Sequence, residues 1–171
     1  MIAIAIRRMG LAALALSLAA CKPESPTVPK QTGLLGAWSP APITFVAPGP
    51  DGQPHTYQIV ETWRLGAGNT FYREAWFFEP AAGKVYVDYQ DQGTFTAHDG
   101  VLALSVVTEV HATLDQFVTA PERRLAPPGK VLYYRYTLEG DVLSVAPSCA
   151  PGVECPQPQP VAFHRTPLLI D

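Results

Sequence analysis

Glu109 and His111 stand two residues apart in VLALSVVTEVHATL, a β-branched run that predicts a strand. At that spacing they share one strand face, and an imidazole beside a carboxylate can bind a metal or move protons. Without a third ligand the two read as a surface pair. Asp88 and Asp91 bracket Tyr89 and Gln90 in VYVDYQDQG. Paired carboxylates serve hydrolysis or hold calcium. The spacing is not that of a calcium loop, so both aspartates read as solvated turn residues. His55, His98 and His164 fall in different segments. Ser105, Ser144 and Ser148 lack a nucleophile-elbow context, and no glycine-rich phosphate loop is present. Glu122 to Arg124 read as a solvated loop. The sequence therefore predicts no catalytic residue, no metal and no cofactor, and a protein that is not an enzyme.

Cys21 raises a different chemistry. Arg7 and Arg8 are the only charges before it, and Met9 to Ala20 are apolar apart from Gly10 and Ser17. A basic segment followed by a short apolar one is the pattern of an export signal. The 12-residue run is short against the roughly 20 residues needed to span a bilayer. LAAC, Leu18 to Cys21, closely resembles a bacterial lipobox. That resemblance implies cleavage before Cys21, a diacylglycerol on its thiol and acylation of the new amine. Several chains matter because one acyl chain anchors only marginally. An aspartate after the cysteine would resemble an inner-membrane retention signal. Lys22 stands there instead, which points to the outer membrane, with the domain facing the periplasm. KPESPTVPK reads as an extended tether. The expected organisation is a signal segment at 1–20, lipidated cysteine and tether at 21–32, and one domain at 33–171.

The mature chain of 151 residues suffices for one core. Without Arg7 and Arg8, ten basic residues oppose fifteen acidic ones, a net charge of −5. No basic cluster follows the leader, so nucleic acid is not an expected partner. Cys149 and Cys155 remain, in SCAPGVEC. In an exported chain a disulfide between them is expected, closing a loop worth roughly 2 kcal/mol in the chain-entropy model. A redox or metal pair is the weaker alternative, since the spacing is not C-x-x-C.

From Leu34 the chain punctuates itself every 8 to 12 residues. HTYQIVETWRL alternates Tyr57, Ile59, Trp63 and Leu65 on one face, broken by Glu61. TFYREAWFFEP places Phe71, Ala75 and Phe77 on one face and Tyr72, Trp76 and Phe78 on the other. VYVDY, a turn at QDQG, and TFTAH follow. Asp99-Gly100 is a hairpin signal. PERRLAPPGK reads as a loop, VLYYRYTL pairs with DVLSVAP across Glu139-Gly140, and VAFHR is the last strand. Eight or nine short strands, with one short helical turn at most between Thr113 and Thr119, predict an all-β antiparallel barrel or sandwich.

The chain opens its domain with LLGAWSP and ends it with FHR. A Gly-x-Trp in the first strand and an arginine in the last resemble the lipocalin-like, calycin-type barrel over residues 33–167. The resemblance implies that Trp38 closes the barrel base and Arg165 packs over it. Gly-x-Trp is short, and the following helix and loop triplets of secreted lipocalins are not evident, so an unrelated small barrel or sandwich stays open. Tyr57, Trp63, Phe71, Phe77, Tyr86, Phe95, Tyr134 and Tyr136 are the candidates to line an apolar cavity, since a barrel of about eight strands just holds one small ligand. The same side chains can equally fill the lumen. Two functions follow: a membrane-anchored binder of a small apolar molecule, or an envelope module that binds another protein around a packed core.

Overall fold

A computed structural model of the chain describes residues 33–112, 114–120 and 122–167. The expected signal segment, Cys21 and the tether lie outside them. Ten strands are present among the described residues: β1 (Gly36–Pro40), β2 (Ile43–Pro48), β3 (Pro54–Gly66), β4 (Thr70–Glu79), β5 (Lys84–His98), β6 (Val101–His111), β7 (Arg124–Leu125), β8 (Val131–Glu139), β9 (Val142–Ser148) and β10 (Val161–Thr166). All pairings are antiparallel, and eight of the strands, in the order β1-β3-β4-β5-β6-β8-β9-β10, close on themselves because β1 pairs with both β3 and β10. The fold is an all-β, lipocalin-like, eight-stranded barrel. Closure leaves no edge in the barrel itself.

The turns follow from their residues. Asp99 and Gly100 both take positive φ (49° and 74°), as a two-residue type I′ hairpin requires. Glu139–Val142 turns at Gly140, and the only helical element described is a 3-10 turn at Leu114–Gln116. The loop after β6 is irregular as expected, apart from the two residues of β7 against Thr108 and Glu109.

QDQG is not a turn. β5 runs straight through it, and the register shifts at Gln92/Gly93 in a bulge against β6. A Cβ at Gly93 would stand 1.9 Å from the Ser105 carbonyl oxygen. The glycine therefore marks close approach of two backbones in a kinked strand, and Asp91 is placed mid-strand.

β3, β4 and β5 overrun the barrel. Pro40 to Pro42 break the first edge into β1 and β2; β1 pairs with the second half of β3, and β2 with its first half. Beyond the barrel β2-β3-β4-β5 continue as a sheet. Alternation then sets the inner face in rows. At the base Leu65, Phe71, Gly93 and Val106 lie abreast; next come Trp63, Arg73, Asp91 and Glu109; next Glu61, Ala75, Tyr89 and His111; beyond them Ile59, Phe77 and Tyr86.

The barrel core packs Leu34, Trp38, Trp63, Phe71, Phe95, Leu102, Leu104, Leu143 and Phe163, with Tyr134 and Tyr136 against it. A separate cluster of Tyr57, Phe77 and Tyr86 fills the inner face of the extension under Phe45, Leu114 and Phe117.

The base is closed by Trp38 and Arg165, which are direct partners across β1 and β10. The indole is fully buried and its Nε1 donates to the Leu34 carbonyl at 2.8 Å. The guanidinium lies 4.3 Å from the ring centroid, donates to the Leu35 and Gly33 carbonyls at 2.7 and 2.8 Å, and pairs with Asp141 at 2.9 Å. It stitches the start of the domain to its last strand.

The expected Cys149–Cys155 disulfide is not formed: both side chains are free thiols. The segment does fold back, with Val153 N–H donating to the Ala150 carbonyl at 3.0 Å. The Cys149 N–H donates to Cys155 Sγ at 3.0 Å, so the turn brings the sulfur onto the backbone of its partner. Hydrogen bonding to Cys155 and burial push the Cys149 thiol upward from its ordinary pKa.

Candidate functional site

Polar side chains meet in the two rows between the base and the extension. Arg73 is the hub. Its Nε and Nη2 donate to Asp91 Oδ2 at 2.9 and 2.5 Å, and Nη1 donates to the Tyr134 hydroxyl. Its guanidinium carbon lies 4.7 Å from the Tyr89 ring centroid and 5.7 Å from those of Trp63 and Tyr134, an aromatic cage around a cation. Burial works against this charge, while Tyr134, Tyr89 and Asp91 together hold its pKa above the ordinary arginine value. Glu61 accepts from Trp63 Nε1 at 2.6 Å and from the Tyr89 hydroxyl. Burial, then the Glu61 charge, raises the Tyr89 pKa, so that phenol stays a donor.

The belt continues onto β6. Glu109 is a direct partner of Asp91 across β5 and β6. It accepts from Lys130 Nζ, and its other oxygen faces Arg124 Nη2 at 3.3 Å. The Lys130 hydrogen bond holds its pKa below the usual carboxylate range, against the opposing effect of burial. His111 Nε2 stands 3.2 Å from Asp91 Oδ1 and 3.8 Å from Glu109 Oε2. Asp88, the extra residue of a second bulge at Ala75/Trp76, has its pKa raised by burial, partly offset by His111.

Two sequence readings are corrected here. Asp91 is not a solvated turn residue, because QDQG continues as strand and turns it into the barrel, where its side chain is fully buried. Glu109 and His111 share a face as expected, but that face points inward at Glu109, which is buried. Arg73, Glu61 and Lys130 were missed as partners. The signal for the first two was parity: Arg73 alternates in step with Phe71 and Ala75, and Glu61 with Ile59 and Trp63.

The eight aromatic residues expected around one cavity divide between two packed clusters. Trp63, Phe71 and Phe95 are buried in the barrel, with Tyr134 and Tyr136 at its wall; Tyr57, Phe77 and Tyr86 belong to the extension. Residues from all eight barrel strands meet in this core. Trp38, Phe95, Leu102, Leu104 and Leu143 are at most 1 % exposed. A groove of about 900 Å³ lies outside the barrel, between β8–β9 and the proline-rich strap Cys149 to Pro160.

The outer face of the extension is apolar as well. Val60 opposes Trp76, and Phe78 opposes Val85. Val60 and Val85 are exposed, as is Val46 on β2. β2 carries no charge and, among the described residues, stands at the end of the strand order.

Searches against family models, curated proteins and solved structures find no match to this chain.

Proposed function

We propose that the protein is a non-enzymatic, lipid-anchored envelope lipoprotein that docks another protein on the outside of a packed barrel. The observation that carries this reading is the contrast between a lumen filled from all eight strands and the outward Val60–Trp76, Phe78–Val85 patch, its valines exposed and its aromatic rings half-buried, beside an uncharged sheet edge. An apolar patch of this kind fits a partner better than water. The other reading, a small apolar ligand in the lumen, would need room among side chains that are at most 1 % exposed at Trp38, Phe95, Leu102, Leu104 and Leu143. The lipocalin-like resemblance supplies the barrel, and folds of this kind do not fix a function. Acylated Cys21 would hold the domain at the outer membrane, facing the periplasm, on a tether of about ten residues.

Native mass spectrometry of the full chain, isolated in mild detergent, tests the choice. The expected mass is that of the acylated protein alone. A stoichiometric small molecule beyond the acyl chains, released on denaturation, would overturn the packed-barrel reading. Cys21→Ser is expected to move the protein from the detergent phase to the aqueous phase in a partition assay, and retention in the detergent phase would count against the anchor.

A further inference from the structure

We propose that Asp91, Glu109 and His111 form a binding site for a divalent transition-metal ion of the zinc type. The pair Glu109/His111 lacks only a third ligand in the sequence, and the β5–β6 register supplies it by setting Asp91 opposite Glu109. One ligand atom from each of the three lies within 4.8 Å of the others. Zinc takes imidazole nitrogen and carboxylate oxygen at about 2.0–2.2 Å, which puts tetrahedral ligands about 3.4 Å apart. His111 Nε2 is already 3.2 Å from Asp91 Oδ1 and 3.8 Å from Glu109 Oε2, so small side-chain shifts complete the set.

A second observation points to a ligand. Asp91 Oδ1 is buried and makes no hydrogen bond, although the side chain is 0 % exposed. A buried carboxylate oxygen without a hydrogen bond is costly; the His111 imidazole Nε2 stands beside it at 3.2 Å as an ion-pair contact, and a cation ligated by both would satisfy it. Its sister oxygen is held twice by Arg73, and Arg124 holds Glu109 Oε1. These outer partners orient the two carboxylates so that Oδ1 and Oε2 face the site, as second-shell groups do around metal ligands.

Lys130 occupies the position a cation would take. Its Nζ donates to Glu109 Oε2 and lies 3.4 Å from His111 Nε2. The charge balance suits an exchange. Four carboxylates (Glu61, Asp88, Asp91, Glu109) stand in and around the belt against two guanidiniums (Arg73, Arg124) and this ammonium. A divalent ion in place of the ammonium leaves the group neutral. Lys130 directly precedes β8 and His111 is 41 % exposed, so both can move toward water and admit the ion. One imidazole and two carboxylates leave a fourth position for water or for a ligand atom from a partner.

The test is zinc titration by calorimetry of the full chain, made without a histidine tag and stripped with a chelator. One equivalent is expected to bind. His111→Ala, at a half-exposed position that leaves the Arg73–Asp91 pair intact, is expected to weaken binding at least tenfold. Lys130→Ala is expected to tighten it severalfold, because the competing ammonium is gone. Absence of stoichiometric uptake, or uptake that His111→Ala leaves unchanged, overturns the site. Unchanged or weaker binding in Lys130→Ala overturns the exchange of ammonium for metal. A circular-dichroism melt of each variant confirms that the protein measured is folded.

Discussion

Arg165 and Arg73 both lie against aromatic rings on the inside of the same barrel, yet they stand in opposite surroundings. Arg165 rests on Trp38 at the rim, with its side chain a third exposed and its carboxylate partner Asp141 almost fully in water. Arg73 sits among Trp63, Tyr89 and Tyr134, with its side chain 9 % and that of Asp91 0 % exposed. The rim arginine gains two carbonyl acceptors while keeping part of its hydration. The inner pair gains a strong charge-assisted contact but gives up water on both sides, and desolvation of that kind can cancel the Coulomb attraction. The base is thus held by burial of an indole, with the arginine as a tie, while the belt is a place where charge is kept at some cost. A fold that needs only stability has little use for the second arrangement. That is the physical reason to look for function in the belt and for closure at the base.

Removing the indole is expected to give the largest effect. Trp38→Ala deletes a fully buried side chain at the point where the barrel closes and should cost about 4 kcal/mol in urea unfolding. An unchanged midpoint would remove the base from its place in this comparison. Arg73→Met should follow at about 3 kcal/mol, because it leaves the Asp91 carboxylate buried and uncompensated. The double variant Arg73→Met with Asp91→Leu separates the two regions most sharply. It should recover to within about 1 kcal/mol of wild type, since an apolar pair of similar volume avoids the desolvation. If the double variant is as unstable as the single one, the belt stabilises the fold in its own right.

The base was legible from sequence and the belt was not, for reasons that lie in particular residues. Gly36-x-Trp38 and Arg165 are local signals at the two ends of the domain, and the strand count follows from regular turn residues such as Asp99-Gly100. Asp91 depends on a non-local fact. Whether it is in water or in the core turns on Gly93, which reads as a turn glycine but makes a bulge because the Ser105 carbonyl comes too close for any Cβ. Once the turn is assumed, Asp91 is solvated and Glu109/His111 lose their third neighbour. Lys130 is further still: 19 residues past His111 in sequence, it reaches the pair only because an irregular loop folds back over β6. The sulfur pair erred the other way. Its spacing reads as a disulfide, while the chain brings the Cys155 sulfur onto the Cys149 amide instead.

Arg165→Ala should be milder than either inner change. It removes the cation–π contact and the two carbonyl bonds but leaves no buried charge behind, so a loss of about 1–2 kcal/mol is expected. A loss as large as that of Arg73→Met would mean that the rim arginine is structurally equivalent to the inner one, and the contrast in hydration would not explain their roles.

A third charged group, at the far tip of the extension, gives the smallest expected effect and the clearest sign. His55 Nδ1 lies 2.5 Å from Glu79 Oε1, and its Nε2 lies 2.9 Å from Asp51 Oδ1. The hydrogen bond to Glu79, with the charges of Asp51 and Glu79 behind it, raises the His55 pKa above its ordinary value of 6.5, burial opposing. The folded state therefore holds this proton more tightly than the unfolded chain. The stabilisation is fully present below pH 6.5 and is lost as pH rises through the higher folded value. In thermal melts from pH 5 to pH 9, wild type should lose its advantage over His55→Gln across that window, by a few degrees at most. A difference that is flat with pH would show that the pairing does not shift the imidazole at all, and one that grows in alkali would show that the imidazole is held neutral there. The tip would then join the belt as a site where burial, and not water, governs charge.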